Sequence, residues 1–167
     1  MRGFIKLFGA GLTFVSCFMI GLYKSHKLNE RRKTLMELEN SLSLLETEIE
    51  SSIVTLPQAF SRIKAKSVKE AFLSAAKKMQ QGKRADSAFI SSIPMLPGLA
   101  GEDENVLISF ARGLLSIDKE GQIRNIKLTQ KRISALRAEA EEEYKRMGKL
   151  YKQGGVLAGI MVAIILY

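Results

Sequence analysis

The chain carries two apolar ends on a highly charged middle, and that arrangement restricts its fold more than any local motif. Leu7 to Tyr23, LFGAGLTFVSCFMIGLY, has no charged residue. With Phe4 and Ile5 included and Lys6 snorkelling, it reaches the roughly 20 residues that a spanning helix needs. At the other end, Gly154 to Tyr167 is free of strongly polar side chains. Those residues alone give about 21 Å of helix against a bilayer core of about 30 Å. Counted from Leu150, with Lys152 snorkelling, the segment grows to about 18 residues and nearly spans. The pattern predicts an N-terminal transmembrane anchor over 1–23, a helical domain over 24–153 and a C-terminal transmembrane segment over 154–167.

Arg2 and Lys6 give the first segment the basic start of a signal peptide. No small-x-small cleavage site precedes the polar turn at Tyr23-Lys24, however, and Phe14-Val15-Ser16-Cys17 is too bulky for a lipobox. An uncleaved anchor is the better reading. Cations near membrane ends set orientation. Lys24, Lys27, Arg31, Arg32 and Lys33 follow the first segment, and Lys145, Arg146, Lys149 and Lys152 precede the last. Both clusters flank the central region and place it in the cytoplasm. The same clusters, in a chain of net charge +9, would attract anionic lipid headgroups. Nucleic acid is disfavoured as a partner, because the cations lie near the apolar ends and no recognition motif accompanies them.

The middle reads as all-α. Leu28, Leu35, Leu38, Leu42, Leu45 and Ile49 recur at helical spacing, with Leu44 and Ile53 widening the stripe. No Gly or Pro interrupts 24–52, so this helix can continue the first apolar segment as one rod. Pro57 suits the first turn of a short helix. A third helix over 67–80 presents Val68, Ala71, Phe72, Ala75, Ala76 and Met79, and Gly82 ends it. Asp86 is expected to cap a short helix carrying Phe89, Ile90 and Ile93. Pro94 and Pro97-Gly98 then break the chain. A fifth helix starts near Glu102 or Asp103 and buries Val106, Leu107, Phe110 and Leu114. The last runs from about Gly121 to Lys152, with Ile123, Ile126, Ile133, Ala140, Tyr144, Met147 and Tyr151 in its stripe and Gln130 and Arg137 interrupting it. No alternating β pattern occurs.

Catalytic chemistry has little to work with. One cysteine, Cys17, and one histidine, His26, exclude an internal disulfide and a Cys/His metal cluster, and no phosphate-binding glycine loop is present. Glu46, Glu48 and Glu50 are two residues apart and do not share a helix face, so they do not form a paired acid and base. The reading is a non-enzyme with no cofactor and no metal, working by binding or assembly.

These features together resemble the stage III sporulation protein AB family. The resemblance rests on LLETEI at 44–49, LPQAF at 56–60, FARGLLSIDKEGQ at 110–122 and GKLYKQGGVLAGIMVAIILY from 148 onward, behind an apolar first helix and a basic stretch. The pattern departs near Gly113, where a further glycine and a small polar residue would be expected close to Leu115 and Ile117. The resemblance implies a bundle of about six helices like the cytoplasmic domain of type II secretion and type IV pilus inner-membrane platform proteins. It also implies a place in a sporulation channel complex in the mother-cell membrane, with a secretion-type ATPase and other membrane proteins as partners. Glu46, Glu48, Pro57, Arg112, Gly113, Asp118 and Gln122 match the family motifs and are expected at an interface. For each, a purely structural role stands beside that one. Gly155 and Gly159 form a small-xxx-small face suited to packing against Gly9 and Gly11. A stand-alone membrane-tethered adaptor or anionic-lipid-binding protein is the rival function.

Overall fold

The computed structural model describes the backbone except at 1, 52–53, 116–117 and 167, and the side chains of 15–16, 19–51, 54–115 and 118–147. All elements among the described residues are helical: α1 (Arg2–Glu50), α2 (Leu56–Ser61), α3 (Lys69–Gln80), α4 (Ala85–Ile90), a single 3₁₀ turn (Ile93–Met95), α5 (Gly101–Gly113) and α6 (Lys119–Leu166). The chain divides into two compact units, Arg31–Glu139 on one hand and Met1–Glu30 with Ala140–Tyr167 on the other. The first is the helical bundle.

The long helices supply the bundle's outer pair. Leu35, Leu38, Leu42, Leu45 and Ile49 of α1 are buried, as are Ile126, Ile133 and Leu136 of α6. Leu44 does not widen the α1 stripe as expected. It is exposed, because it lies one residue off the buried 38–42–45 row and turns outward.

Between the long helices, each short helix contributes one phenylalanine to a common aromatic centre. Phe60 of α2, Phe72 of α3, Phe89 of α4 and Phe110 of α5 are all essentially inaccessible. Phe60 lies 5.0 Å from Phe72 and 5.7 Å from Phe89, Phe72 lies 5.2 Å from Phe89, and Phe89 lies 5.4 Å from Phe110, centroid to centroid. Most of the pairs meet edge to face, which the ring quadrupole favours. A helix of six residues is too short to hold itself in water. Burial of its phenylalanine, a side chain worth about 1.5–3 kcal/mol when removed from water, is what keeps α2 or α4 folded.

Turn chemistry sets the limits of these helices. Pro57 occupies the first turn of α2, and Gln58 Oε1 accepts the Thr55 N–H at 3.0 Å. Gly82 ends α3 at φ +85°, a conformation that suits glycine. Asp86 is not the cap of α4: Arg84 takes that position and Asp86 sits inside the first turn. There the Ser87 backbone N–H donates to its carboxylate and holds the carboxyl below its ordinary value. Gly98, at φ +76°, turns the chain toward α5.

The bundle is closed by a buried ion pair. Asp103, in the first turn of α5, is fully buried. Its Oδ2 accepts from Arg31 Nε at 2.8 Å and its Oδ1 from Arg31 Nη2 at 2.9 Å. The same carboxylate accepts the Ala100 N–H at 2.8 Å, satisfying a free donor at the helix start. Nearby, Thr34 Oγ1 donates to the Pro97 carbonyl at 2.9 Å. The α1 helix is thereby fastened to both sides of the 97–103 loop.

Among the described residues no helix is long and apolar enough to cross a membrane. The spans expected over 1–23 and 154–167 fall mostly outside the described side chains, as do Gly9, Gly11, Gly155 and Gly159.

Removing one partner of a buried pair leaves the other charge uncompensated, at a cost of about 3–5 kcal/mol. Asp103→Ala or Arg31→Ala is expected to lower stability by about that amount in chemical denaturation of the full chain in detergent. The apolar double substitution Arg31→Met with Asp103→Leu should recover most of the loss.

Candidate functional site

The motif-matched residues are far apart in sequence, and the bundle gathers most of them at the end where α1 stops and α6 begins. Two rungs of polar contacts fix that neighbourhood. Arg137 Nη1 donates to Glu39 Oε2 at 2.7 Å, and Gln130 Nε2 donates to Glu46 Oε2 at 2.9 Å. Glu39 and Glu46 are seven residues apart on α1, as are Gln130 and Arg137 on α6. Seven residues make close to two helical turns, so each pair shares a face. The numbers rise on one helix as they fall on the other, which makes these stretches antiparallel. The two residues that interrupt the apolar stripe of α6 therefore both reach carboxylates on α1.

Glu46 also receives Lys127 at 3.3 Å, and Lys127 lies 4.0 Å from Glu50. Glu48 faces elsewhere and accepts from Arg62 Nη1 at 2.6 Å, just beyond α2. The different directions of Glu46 and Glu48 follow from their spacing of two residues on a helix. Both carboxylates are only one-fifth exposed or less, and both hold neighbouring elements of the same chain.

Asp118 starts α6. Its Oδ2 accepts the Gly121 N–H at 2.9 Å, and its carbonyl accepts the Gln122 N–H at 3.2 Å. This is the N-cap arrangement that Asp favours. The next residue, Lys119, donates to the Glu50 carbonyl and joins the α6 start to the α1 end. Gln122 is half-buried.

Gly113 has a specific steric reason. A Cβ built there would stand 2.2–2.4 Å from the side-chain atoms of Asn125. Asn125 Nδ2 donates to the Phe110 carbonyl at 2.9 Å, satisfying an acceptor at the end of α5. Glycine at 113 is what lets α6 come this close. Arg112 is exposed in the last turn of α5, where a cation complements the helix dipole.

Sequence reasoning did not single out Arg31, Asp103, Glu39, Arg137 or Asn125 as a set. Arg31 stood among orienting charges and Asp103 among helix-start carboxylates. The available signal was the pair of polar residues breaking an otherwise apolar stripe, since a polar group facing a core requires a partner. Among the described residues no group of three or more His, Cys, Asp or Glu is placed to hold a metal ion.

Comparison with known proteins bears on this geometry. Residues 6–167 match the family model described as stage III sporulation protein AB. The stage III sporulation protein AB of Bacillus subtilis (strain 168) is 26% identical over 169 aligned positions, covering 97% of this chain and 99% of that protein. A solved structure of a stage III sporulation protein AB superposes with a TM-score of 0.64 at 26% identity, covering 69% of this chain and 96% of the other.

Two measurements check the local reading. Gly113→Ala is expected to push the Asn125 amide off the Phe110 carbonyl and cost about 0.5–1.5 kcal/mol. Asn125→Ala costs a similar amount alone but adds little to Gly113→Ala, because both remove the same contact. A double-mutant cycle on Glu39 and Arg137 should give a coupling of only about 0.2–1 kcal/mol, since Arg137 is 44% exposed.

Proposed function

The chain belongs to the stage III sporulation protein AB family, and from that premise we propose that it is a non-catalytic platform or assembly subunit of a secretion-like sporulation channel complex. In this reading, 1–23 and 154–167 hold the protein in the mother-cell membrane, and the helical domain faces the cytoplasm. There it couples a secretion-type ATPase to the ring-forming membrane proteins of the complex. The observation that carries the reading is the family match over 6–167, which takes in the bundle and almost all of both apolar ends.

The chemistry of the chain supports it. The sequence has a single cysteine and a single histidine, so nucleophilic or metal-assisted catalysis lacks its usual side chains. The carboxylates Glu46 and Glu48, together with Asp118, tie α1, α2 and α6 at one end of the bundle. An end held by these contacts and bearing exposed Arg112 offers a surface for assembly.

The rival reading is an adaptor that binds anionic lipid through its basic residues. Exposed Lys24, Lys27, Lys145 and Arg146 favour it, and about 1 kcal/mol per cation near an anionic surface gives it weight. The two readings part on partners. Purification of the tagged full chain from sporulating cells in mild detergent is expected to bring down a secretion-type ATPase and further membrane proteins. Recovery of lipid alone, with no ATPase, would overturn the platform reading. For orientation, a single cysteine at Lys77 in a Cys17→Ser background is expected to react with an impermeant maleimide only after the cytoplasm is opened.

A further inference from the structure

The first half of α6 turns one side to solvent, and that side has an unusual composition. Arg124, Leu128, Lys131, Arg132 and Ala135 are all exposed there. Leu128 stands four residues after Arg124, three before Lys131 and four before Arg132, so cations border it on both neighbouring turns. Half of its surface is open, 51%. Among the described residues none of Arg124, Lys131 and Arg132 makes an ion pair with a carboxylate, whereas Lys127 beside them is held by Glu46. A single exposed leucine is ordinary on a protein surface. Leucine within a group of free cations is a different surface.

Ala135 lies two turns from Leu128 on the same side of the helix, about 10.5 Å along the axis. There the surface opens into a groove between α5 and α6. Val106, Ala135 and Leu136 supply its apolar lining, Asn105 and Ser109 add neutral polar groups, Arg132 stands at the side shared with Leu128, and Glu102 and Glu139, the latter 3.9 Å from Arg31 Nη1, supply its carboxylates. One continuous seam therefore runs from a cationic half around Leu128 to a partly apolar groove that carries two carboxylates.

We propose that this seam docks an amphipathic helix of another protein chain, with carboxylates at one of its ends. The carboxylates would lie over Arg124, Lys131 and Arg132. Apolar side chains two turns apart would meet Leu128 and enter the groove at Ala135. The charge complementarity is one-ended: Glu102 and Glu139 repel further carboxylates and so set the direction in which the helix lies. A uniformly anionic surface such as a bilayer would meet that repulsion along half of the seam, and a flat surface does not fill a groove. The inference goes beyond the platform reading and does not need it.

The probe is a designed helical peptide with leucines spaced by seven, glutamates at one end and a fluorophore. Its counterpart carries lysines in place of the glutamates. Binding to the full chain in phosphatidylcholine nanodiscs is followed by anisotropy. The acidic peptide is expected to bind about ten-fold or more tightly than the lysine peptide, with affinity falling as salt rises. Leu128→Asp, and separately Lys131→Glu with Arg132→Glu, should each weaken it about ten-fold or more. Leu44→Asp, at an exposed leucine outside the seam, should leave it unchanged. All these positions are exposed, and circular dichroism checks that each variant stays folded. Equal binding of the two peptides, or equal loss in Leu44→Asp, overturns the proposal. So does a seam whose substitutions abolish binding to phosphatidylglycerol vesicles while leaving peptide binding intact. Because the probe is synthetic, its failure leaves the platform reading standing.

Discussion

The Arg31–Asp103 pair is the constraint on which the bundle depends. It joins residues 72 positions apart, and it does so where the carboxylate cannot be hydrated instead. A carboxylate with no exposure would be untenable without its partner. Here both oxygens face the guanidinium fork, and one of them also takes the Ala100 N–H. The pair thus decides three things together: where α5 starts, how the loop after Gly98 runs, and which face of α1 looks inward. The leucines of α1 would be buried equally well against many apolar surfaces. The bidentate pair selects one, in the way that polar groups in a core can favour a single arrangement.

Around that fastening, the bundle divides its work between two kinds of element. The long helices have enough regular apolar stripe to bury a continuous surface. The short ones bury less, and each sends one phenylalanine into a shared centre. Gln58 and Gly82 place ends of the short helices and Asp118 the start of α6 through satisfied backbone groups, while Gly113 and Asn125 let the α5–α6 corner close.

Much of this was legible in the sequence because helical periodicity is a local signal. The stripe of Leu35, Leu38, Leu42 and Leu45, the stop at Gly82, the break at Pro94 and the start at Pro57 depend on residues within a turn or two of each other. The last helix begins at Lys119 with Asp118 as its cap, two residues ahead of the start expected near Gly121. Asp86 went the other way: it has the chemistry of a cap, but Arg84 holds the position. Leu44 was misplaced since periodicity tolerates an extra apolar residue at the border of a stripe. The candidate site was harder to read. Glu46 and Glu48 were visible as charged residues, but nothing local indicates that one meets Gln130 and the other Arg62. Pairings such as Arg31 with Asp103 are set by tertiary packing, and a single sequence does not encode them in its spacing.

The rungs between α1 and α6 have a further consequence for motion. Packed helices commonly adjust by sliding along each other, and a change of register by one turn moves them about 5.4 Å. In this bundle such slippage would pull Arg137 from Glu39 and Gln130 from Glu46 at once. The aliphatic stripe alone would permit the slide, since one leucine row resembles the next. The polar rungs turn a smooth track into a keyed one. Within the bundle, a push along either long helix is therefore passed on as displacement of the pair rather than absorbed as shear between them.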